Sequence, residues 1–429
     1  MWLKFKLWLS NPAQNLWVQP TLGALFAIGF SVLASITHYF IPERWLIEIS
    51  ASTLSDLLDI ISGSMLAVST FSLSIMVSAL VATSSSISPR ARVLVMSDAS
   101  TRLAITSFIT AFIYAVIAKI SLELQLYGAG GRLVMFVGTL IVLMYLIFTL
   151  IRWVQTLSNL GSLVDTVEKI ESAVMAQLAT YRQYPQHGIT GTKPTAVPKA
   201  VIYCRRTGYL THIEFELLDE WCQKHHCHIH IALNLNELAA RDTVLFEVYA
   251  QDDCTLDAKA WATLDDALNE FAVISSAPSH QSEPLYGIQL LAEIAERALS
   301  AAVNDPTTAF QTVSVITHLL SDVRPSQNDE ALDYAHLSIE PFCASRFIEP
   351  YYPIARDGIA HTEFIVHMLR CLHIVHRTAP ETALQDAAVL MAERIYLLAH
   401  HHTDYDAALH QLDQAWRSYF GHLPMPKHP

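Results

Sequence analysis

Charge is nearly absent from four long stretches in the first third or so of this chain. Thr21 to Phe40, Ile60 to Ala82 and Leu133 to Ile151 contain no Asp, Glu, Lys or Arg, and Leu103 to Leu122 contains Lys119 alone. A helix needs about 20 apolar residues to cross roughly 30 Å of hydrocarbon. Four such windows in succession exclude an ordinary soluble core and predict four transmembrane helices. No carboxylate or cation lies near the middle of any window, where proton relays and ion-coupled pumps usually keep one. A passive pore or a simple anchor is left.

Cysteine is missing from the same region. The six cysteines, Cys204, Cys222, Cys227, Cys254, Cys343 and Cys371, all lie later and form no tight disulfide framework, which fits a reducing compartment. Also missing are a Walker loop, a GxGxxG after a strand, a GxSxG and an HExxH, so the commonest enzyme classes are excluded and the reading leans away from catalysis. A basic excess is absent from the later part too. Residues 1 to 160 carry nine basic and six acidic side chains, whereas the remainder carries 18 basic and 34 acidic ones. An acidic domain argues against a nucleic-acid partner. The first apolar run is interrupted by Asn11-Pro12 and lacks the pattern of a cleaved leader, so the N-terminus is expected to be retained.

The windows at 21–40, 60–82, 103–122 and 133–151 define a transmembrane domain over residues 1–157. Orientation follows from the flanking cations. Lys4, Lys6, Arg90, Arg92, Arg102, Arg152 and Lys169 fall on one side; Arg44, Lys119 and Arg132 fall on the other, with Glu43, Glu48, Asp56, Asp59 and Glu123. Both termini are therefore expected in the cytoplasm. Met1 to Ser10, with Trp2, Phe5 and Trp8 between Lys4 and Lys6, suits the lipid interface.

The second window is rich in serine. At 100° per residue Ser62, Ser69 and Ser72 fall on one side of a helix, and Ser64, Ser74 and Ser78 on the other. Small hydroxyl residues let membrane helices approach closely; alternatively, one serine face lines a hydrated path. The loop that follows holds Ser88-Pro89-Arg90-Ala91-Arg92. Arg90 and Arg92 are either positive-inside anchors or a cytoplasmic mouth that meets anions or lipid headgroups.

Beyond the windows the pattern changes. Residues 158–185 have helical apolar spacing and read as a cytoplasmic extension of the fourth span. Residues 199–256 read as a small β-rich subdomain, with strands at 200–204, 228–233 and 244–250, a turn at Thr207-Gly208 and a short helix near 214–225. Residues 258–421 read as helical, with candidates at 264–275, 286–303, 306–323, 362–377, 381–401 and 405–420. The fold class is thus a membrane all-α domain followed by a cytoplasmic α+β domain with a helical C-terminal part.

Two local patterns carry candidate sites. Alternation along a strand puts His226, His228 and His230 on one face, near Cys222 and Cys227, and thiolate plus imidazole is zinc chemistry. The spacing matches no standard finger, so a polar strand face competes and no cofactor is required. At Arg297 to Pro306, Asp305 suits an N-cap and Pro306 a first helical turn. Arg297, Asn304 and Asp305 are candidates for a helix–turn–helix corner or an interface.

Several short pieces, taken in order, resemble a known family. They are Phe71-Ser-Leu-Ser74, Ser88-Pro89-Arg90, Phe108-Ile-Thr-Ala-Phe-Ile-Tyr114, Gly208-Tyr-Leu-Thr-His-Ile213 and Arg297-Ala-Leu-Ser-Ala-Ala-Val-Asn304-Asp305-Pro306-Thr-Thr-Ala309. The set is similar to the bacterial predicted-membrane-protein family known as domain of unknown function 2254. Where that family tends to carry Pro-Gly pairs, this chain has Ala301-Ala302 and Asn236-Glu237. The resemblance implies an integral protein of the bacterial inner membrane and brings no established substrate or catalytic residue. The expected function is an oligomeric, channel-like protein in contact with membrane lipids, its cytoplasmic domain assembling or gating it. The alternative is a membrane-anchored sensor or scaffold whose soluble domain binds a ligand or partner.

Overall fold

A computed structural model describes residues 18–36, 49–86, 99–159, 162–250, 264–279, 283–325 and 332–426. The chain divides into two units, Met1–Thr166 and Val167–Pro429.

The first unit is helical: α1 (Val18–Ile36), α2 (Ala51–Ser86), α3 (Ala99–Glu123) and α4 (Ala129–Asn159). Among the described residues, three stretches are long and apolar enough to cross a membrane: Ala51–Ala79, Thr101–Glu123 and Gly130–Leu157. Pro20–Ser35 in α1 is a shorter apolar stretch. Helix α3 packs against each of the other three. Its buried face presents Phe108, Ala111, Ala115 and Ala118, small enough between the rings for close approach. A Cβ on Gly23 would lie 2.1 Å from Thr110 Cγ2, so that contact requires glycine. Phe108 meets Trp153 edge-on at 6.1 Å, and the Tyr114 hydroxyl lies 3.1 Å from Thr139 Oγ1. Large apolar side chains such as Ile141, Met144, Phe148 and Ile151 of α4 face outward, as a lipid-facing surface would. Lys119 Nζ sits 2.5 Å from Asp59 Oδ1, joining the start of α2 to the end of α3.

The second unit carries the sheets. Helix α5 (Leu163–Gln183) leads into it, and Ser162 Oγ accepts from the Asp165 amide at 3.0 Å at its start. Strands β1 (Ala200–Tyr203) and β2 (Gly208–Ile213) precede α6 (Phe215–His225), then β3 (Cys227–Ile231), β4 (Leu238–Ala239) and β5 (Val244–Ala250). A short helix, α7 (Leu264–Asn269), precedes β6 (Ala272–Ser275). One sheet has the order β1-β5-β3-β7, where β7 is Leu337–Ile339, parallel to β3; the other pairs are antiparallel. A second, antiparallel sheet has the order β4-β2-β6. Phe246, Ile229, Leu210, Leu218 and Leu268 share one core between them.

Three local expectations change. The helix expected over 264–275 ends at Asn269, and Val273-Ile274 pair with β2 instead. Leu264, Leu268, Phe271 and Ile274 keep helical spacing, but cross-strand pairing decides so short a segment. The turn at Thr207-Gly208 opens strand β2, where Gly208 lets the Ser275 carbonyl approach within 2.5 Å of a Cβ position. Strand β7, three residues long, has no pattern of its own.

Helices α8 (Pro284–Leu299), α9 (Pro306–Asp322), α10 (Tyr351–Asp357), α11 (Thr362–Thr378), α12 (Thr382–His402) and α13 (Asp406–Phe420) complete the unit. Trp416, Phe364, Leu369 and Ile395 are buried among them. Asp305 caps α9: its carboxylate accepts from Thr308 N at 3.2 Å and from Thr308 Oγ1 at 2.6 Å.

Candidate functional site

The second unit contains a cavity of about 400 Å³ whose lining includes six Tyr and Phe rings. The last turns of α5 contribute Gln177, Thr180 and Tyr181. Pro185 then forces the chain out of the helix, and three successive residues are left-handed: Gln186 (φ 55°), His187 (φ 61°) and Gly188 (φ 82°). For glutamine and histidine this conformation costs about 1 kcal/mol or more each, and such strain gathers at functional sites. It brings the His187 ring onto Phe215, stacked at 5.0 Å, and Phe215 stacks on Tyr334 at 6.2 Å. Burial pushes the His187 pKa down to about 4, so the ring is neutral at physiological pH.

A second ring cluster in the lining is built from Tyr181, Phe342 and Phe347. Tyr181 meets the two phenylalanines edge-on at 5.8 and 5.5 Å. Burial, then the nearby Glu381, pushes the Tyr181 hydroxyl up to about 12. Asn234 and Glu283 bring polar groups into the same space. Glu283 occupies the N-cap position of α8, yet its side chain makes no capping bond. Burial pushes its carboxyl up to about 7, against the lowering influence of Arg346 and a hydrogen bond from Asn236. Asn236 is itself left-handed (φ 60°) and clasps Ser279 through two bonds of 2.8 Å. Asparagine is among the few residues that tolerate that conformation.

Arg182, next to Tyr181, fixes the wall from behind. Its side chain is 3 % exposed; Nε reaches Glu381 Oε1 at 2.8 Å and Nη2 reaches Oε2 at 3.1 Å. The guanidinium also donates to the carbonyls of Leu320 and Val323, the otherwise unpaired end of α9.

The model of the family described as "Predicted membrane protein (DUF2254)" matches residues 13–373. The chain belongs to that family. No curated protein and no solved structure matches it. The matched range includes every residue lining the cavity as well as α1 to α4.

The serines of this family member's second window lie on α2. Ser69 and Ser72 are buried within the first unit and Ser62 is half-buried, whereas Ser64, Ser74 and Ser78 face outward. Each hydroxyl donates to a carbonyl three or four residues back in the same helix, Ser69 to Met65 at 2.6 Å and Ser74 to Thr70 at 3.0 Å among them. Arg90 and Arg92 lie outside the described residues. Arg297 is in the last turn of α8, and its carbonyl accepts from Ser300; Asn304 is left-handed (φ 49°) in the corner before α9.

The Cys/His segment is divided by the fold. Cys222 and Cys227 are fully buried in the core, and a hydrogen bond with Cys227, then burial, raises the Cys222 thiol. His226 is the left-handed residue that ends α6, so it does not join the strand face. His228 and His230 do share a face, on either side of Ser338 Oγ at 2.9 and 3.1 Å. Among the described residues no three His, Cys, Asp or Glu side chains converge as a metal site.

The cavity residues were not among the sequence candidates. They come from α5, the turn after it, α6, the segment between β3 and β4, the start of α8 and the segment around β7, so no local spacing unites them. The left-handed Gln186-His187-Gly188 turn is the one compact signal, and it reads in sequence as an ordinary loop.

Proposed function

We propose that this chain is a membrane-embedded sensor whose second unit binds a small organic ligand in the aromatic cavity. In this reading four helices, the shorter α1 included, cross the bacterial inner membrane with both termini in the cytoplasm. The observation that carries it is the cavity itself: a concave, aromatic space with a few convergent polar groups and a buried carboxyl, held by strained backbone. The reading does not require catalysis, a metal or nucleic acid. Purified full-length protein in lipid nanodiscs tests it through a thermal-shift screen of small amphipathic molecules. A ligand that stabilises the wild type and not Thr180→Trp, which fills the cavity from an exposed helix position, supports the reading. A screen in which every hit stabilises both proteins equally defeats it.

The channel reading rests on a separate observation. Ser64, Ser74 and Ser78 point away from the first unit's core, and each hydroxyl spends its proton on its own helix. The oxygen lone pairs that remain are acceptors, suited to a cation or to a neighbouring helix of a second copy. An oligomer would bring these faces together around an axis, with the outer apolar faces against lipid. Flux assays in liposomes, comparing the wild type with Ser64, Ser74 and Ser78 changed to leucine, decide between pore and anchor. Absence of flux above empty vesicles under every gating condition removes the pore.

A further inference from the structure

We propose that the ligand of the cavity is an organic cation with an apolar body, its substituted ammonium or equivalent group seated against the aromatic faces beside the Glu283 carboxylate. This rests on the ligand-binding reading above and narrows it to one chemical class.

Charge is the first argument. Among the described lining residues Glu283 is the only Asp, Glu, Lys or Arg, and the one histidine, His187, is held neutral by burial. An anionic ligand would find no cation in the walls and would meet a carboxylate. The general field has the same sign, because the chain beyond residue 160 carries 34 acidic against 18 basic side chains.

The second argument is the state of the carboxylate. A glutamate at a helix N-cap position can bond the free amides of the first turn, yet Glu283 makes no such bond. Its nearest guanidinium, on Arg346, is engaged elsewhere: Nη1 lies 3.3 Å from Glu237 Oε1, and the group sits 5.5 Å above the Phe342 ring. Among the described residues no lysine or arginine lies within ion-pair distance of Glu283. A buried carboxyl without a counter-ion is costly to ionise. A cation arriving in the cavity supplies that counter-ion.

The third argument is the walls. The lining includes six rings, Tyr181, Tyr184, Phe215, Tyr334, Phe342 and Phe347, and the π-systems of such rings attract cations, most strongly where water is excluded. Arg346 over Phe342 shows the same attraction at the cavity's edge.

Binding must then couple to the proton on Glu283. The charged and titratable groups that face it are Arg346, which favours the carboxylate, Glu237, which disfavours it, and Tyr181, neutral across the accessible range; Asn236 adds a hydrogen bond. With the free carboxyl titrating near 7, a cation that binds the ionised form loses affinity on acidification, about tenfold between roughly pH 8 and pH 6.

Three probes of matched shape test this on full-length protein in nanodiscs: benzyltrimethylammonium, its uncharged carbon isostere neopentylbenzene, and phenylmethanesulfonate. Binding is read by calorimetry and by quenching of intrinsic fluorescence. The expected result is that the cation binds at least about tenfold tighter than the neutral probe and that the anion does not bind. Glu283→Gln should reduce the cation's advantage to what the rings alone supply and remove its pH dependence while neutral binding persists, and Thr180→Trp should weaken both. If the neutral probe binds as tightly as the cation, in the wild type and Glu283→Gln alike, the cavity remains a binding site and the cation class is overturned. Preference for the anion overturns it equally. If none of the three binds, or binding is indifferent to Thr180→Trp, the cavity reading falls together with this one.

Discussion

Arg182 and Glu381 lie 199 positions apart in the chain and form a two-pronged buried ion pair, with contacts of 2.8 and 3.1 Å. The same guanidinium holds the carbonyl end of α9. Removing it leaves a partly buried carboxylate and several carbonyls without partners. Arg182→Ala should therefore destabilise the protein by about 3–5 kcal/mol. Arg182→Lys should fall between that and the wild type, since an ammonium cannot reach both oxygens and the carbonyls together. Glu381→Gln should cost least, because Glu381 is 22 % exposed. Thermal or denaturant unfolding in mild detergent gives the order.

Glu283 predicts a stability that depends on pH. Its carboxyl titrates near 7 in the folded protein and near 4.5 when unfolded, so between those values the folded state binds the extra proton. Stability contributed by this group is full below about pH 4.5 and is lost as pH rises through 7. The Glu283→Gln variant should match the wild type near pH 4.5 and exceed it near pH 8, by at most about 3 kcal/mol. Equal stability of the two proteins at both pH values would contradict the burial of this carboxyl.

The buried histidines act in the opposite direction. His187 and His228 are both pushed down to about 4, chiefly by burial. The unfolded chain takes up their protons first as pH falls below 6.5, so stability present above 6.5 is lost on the way to 4. His187→Asn keeps a residue that tolerates left-handed backbone and removes one titrating ring. Its unfolding midpoint should fall less steeply than the wild type's between pH 6.5 and 4, in the same scans.

Gly287 is the point where α8 meets α5. A Cβ there would lie 2.1 Å from Val174 Cγ2, with both residues buried. Gly287→Ala should cost about 1–3 kcal/mol through overpacking. Adding Val174→Ala should recover part of the loss, and a double-mutant cycle measures the coupling. Simple additivity of the two changes would show that the helices are not in contact here.

Much of the helical framework can be read from local pattern. The spacing around 286–303, 306–323, 362–377, 381–401 and 405–420 predicts helices that occur at nearly those bounds, because their apolar stripes are long enough to specify one face. Asp305-Pro306 marks a helix start through capping chemistry that involves only neighbours in sequence. Lys119 and Asp59 were assigned to the same end of the membrane windows by charge counting, and they lie 2.5 Å apart. Two of the misses have a common cause. Strands β6 and β7 are short and owe their conformation to partners far along the chain, so no window of sequence contains the deciding interaction.

What the sequence determined by itself was where this chain is apolar: three windows that form membrane-length helices, a fourth apolar stretch, and membership of a membrane-protein family. Hydropathy and periodicity are sums over neighbours, and neighbours are what a sequence displays. Only the tertiary structure decided that Tyr181, His187, Phe215, Glu283, Tyr334 and Phe347 surround one space. It also separated Cys227 and His228, adjacent in the chain, onto opposite faces of a strand, the thiol in the core and the ring at Ser338. A cavity depends on where remote segments stop approaching one another, and that is set by the packing of whole elements rather than by any residue's own preference.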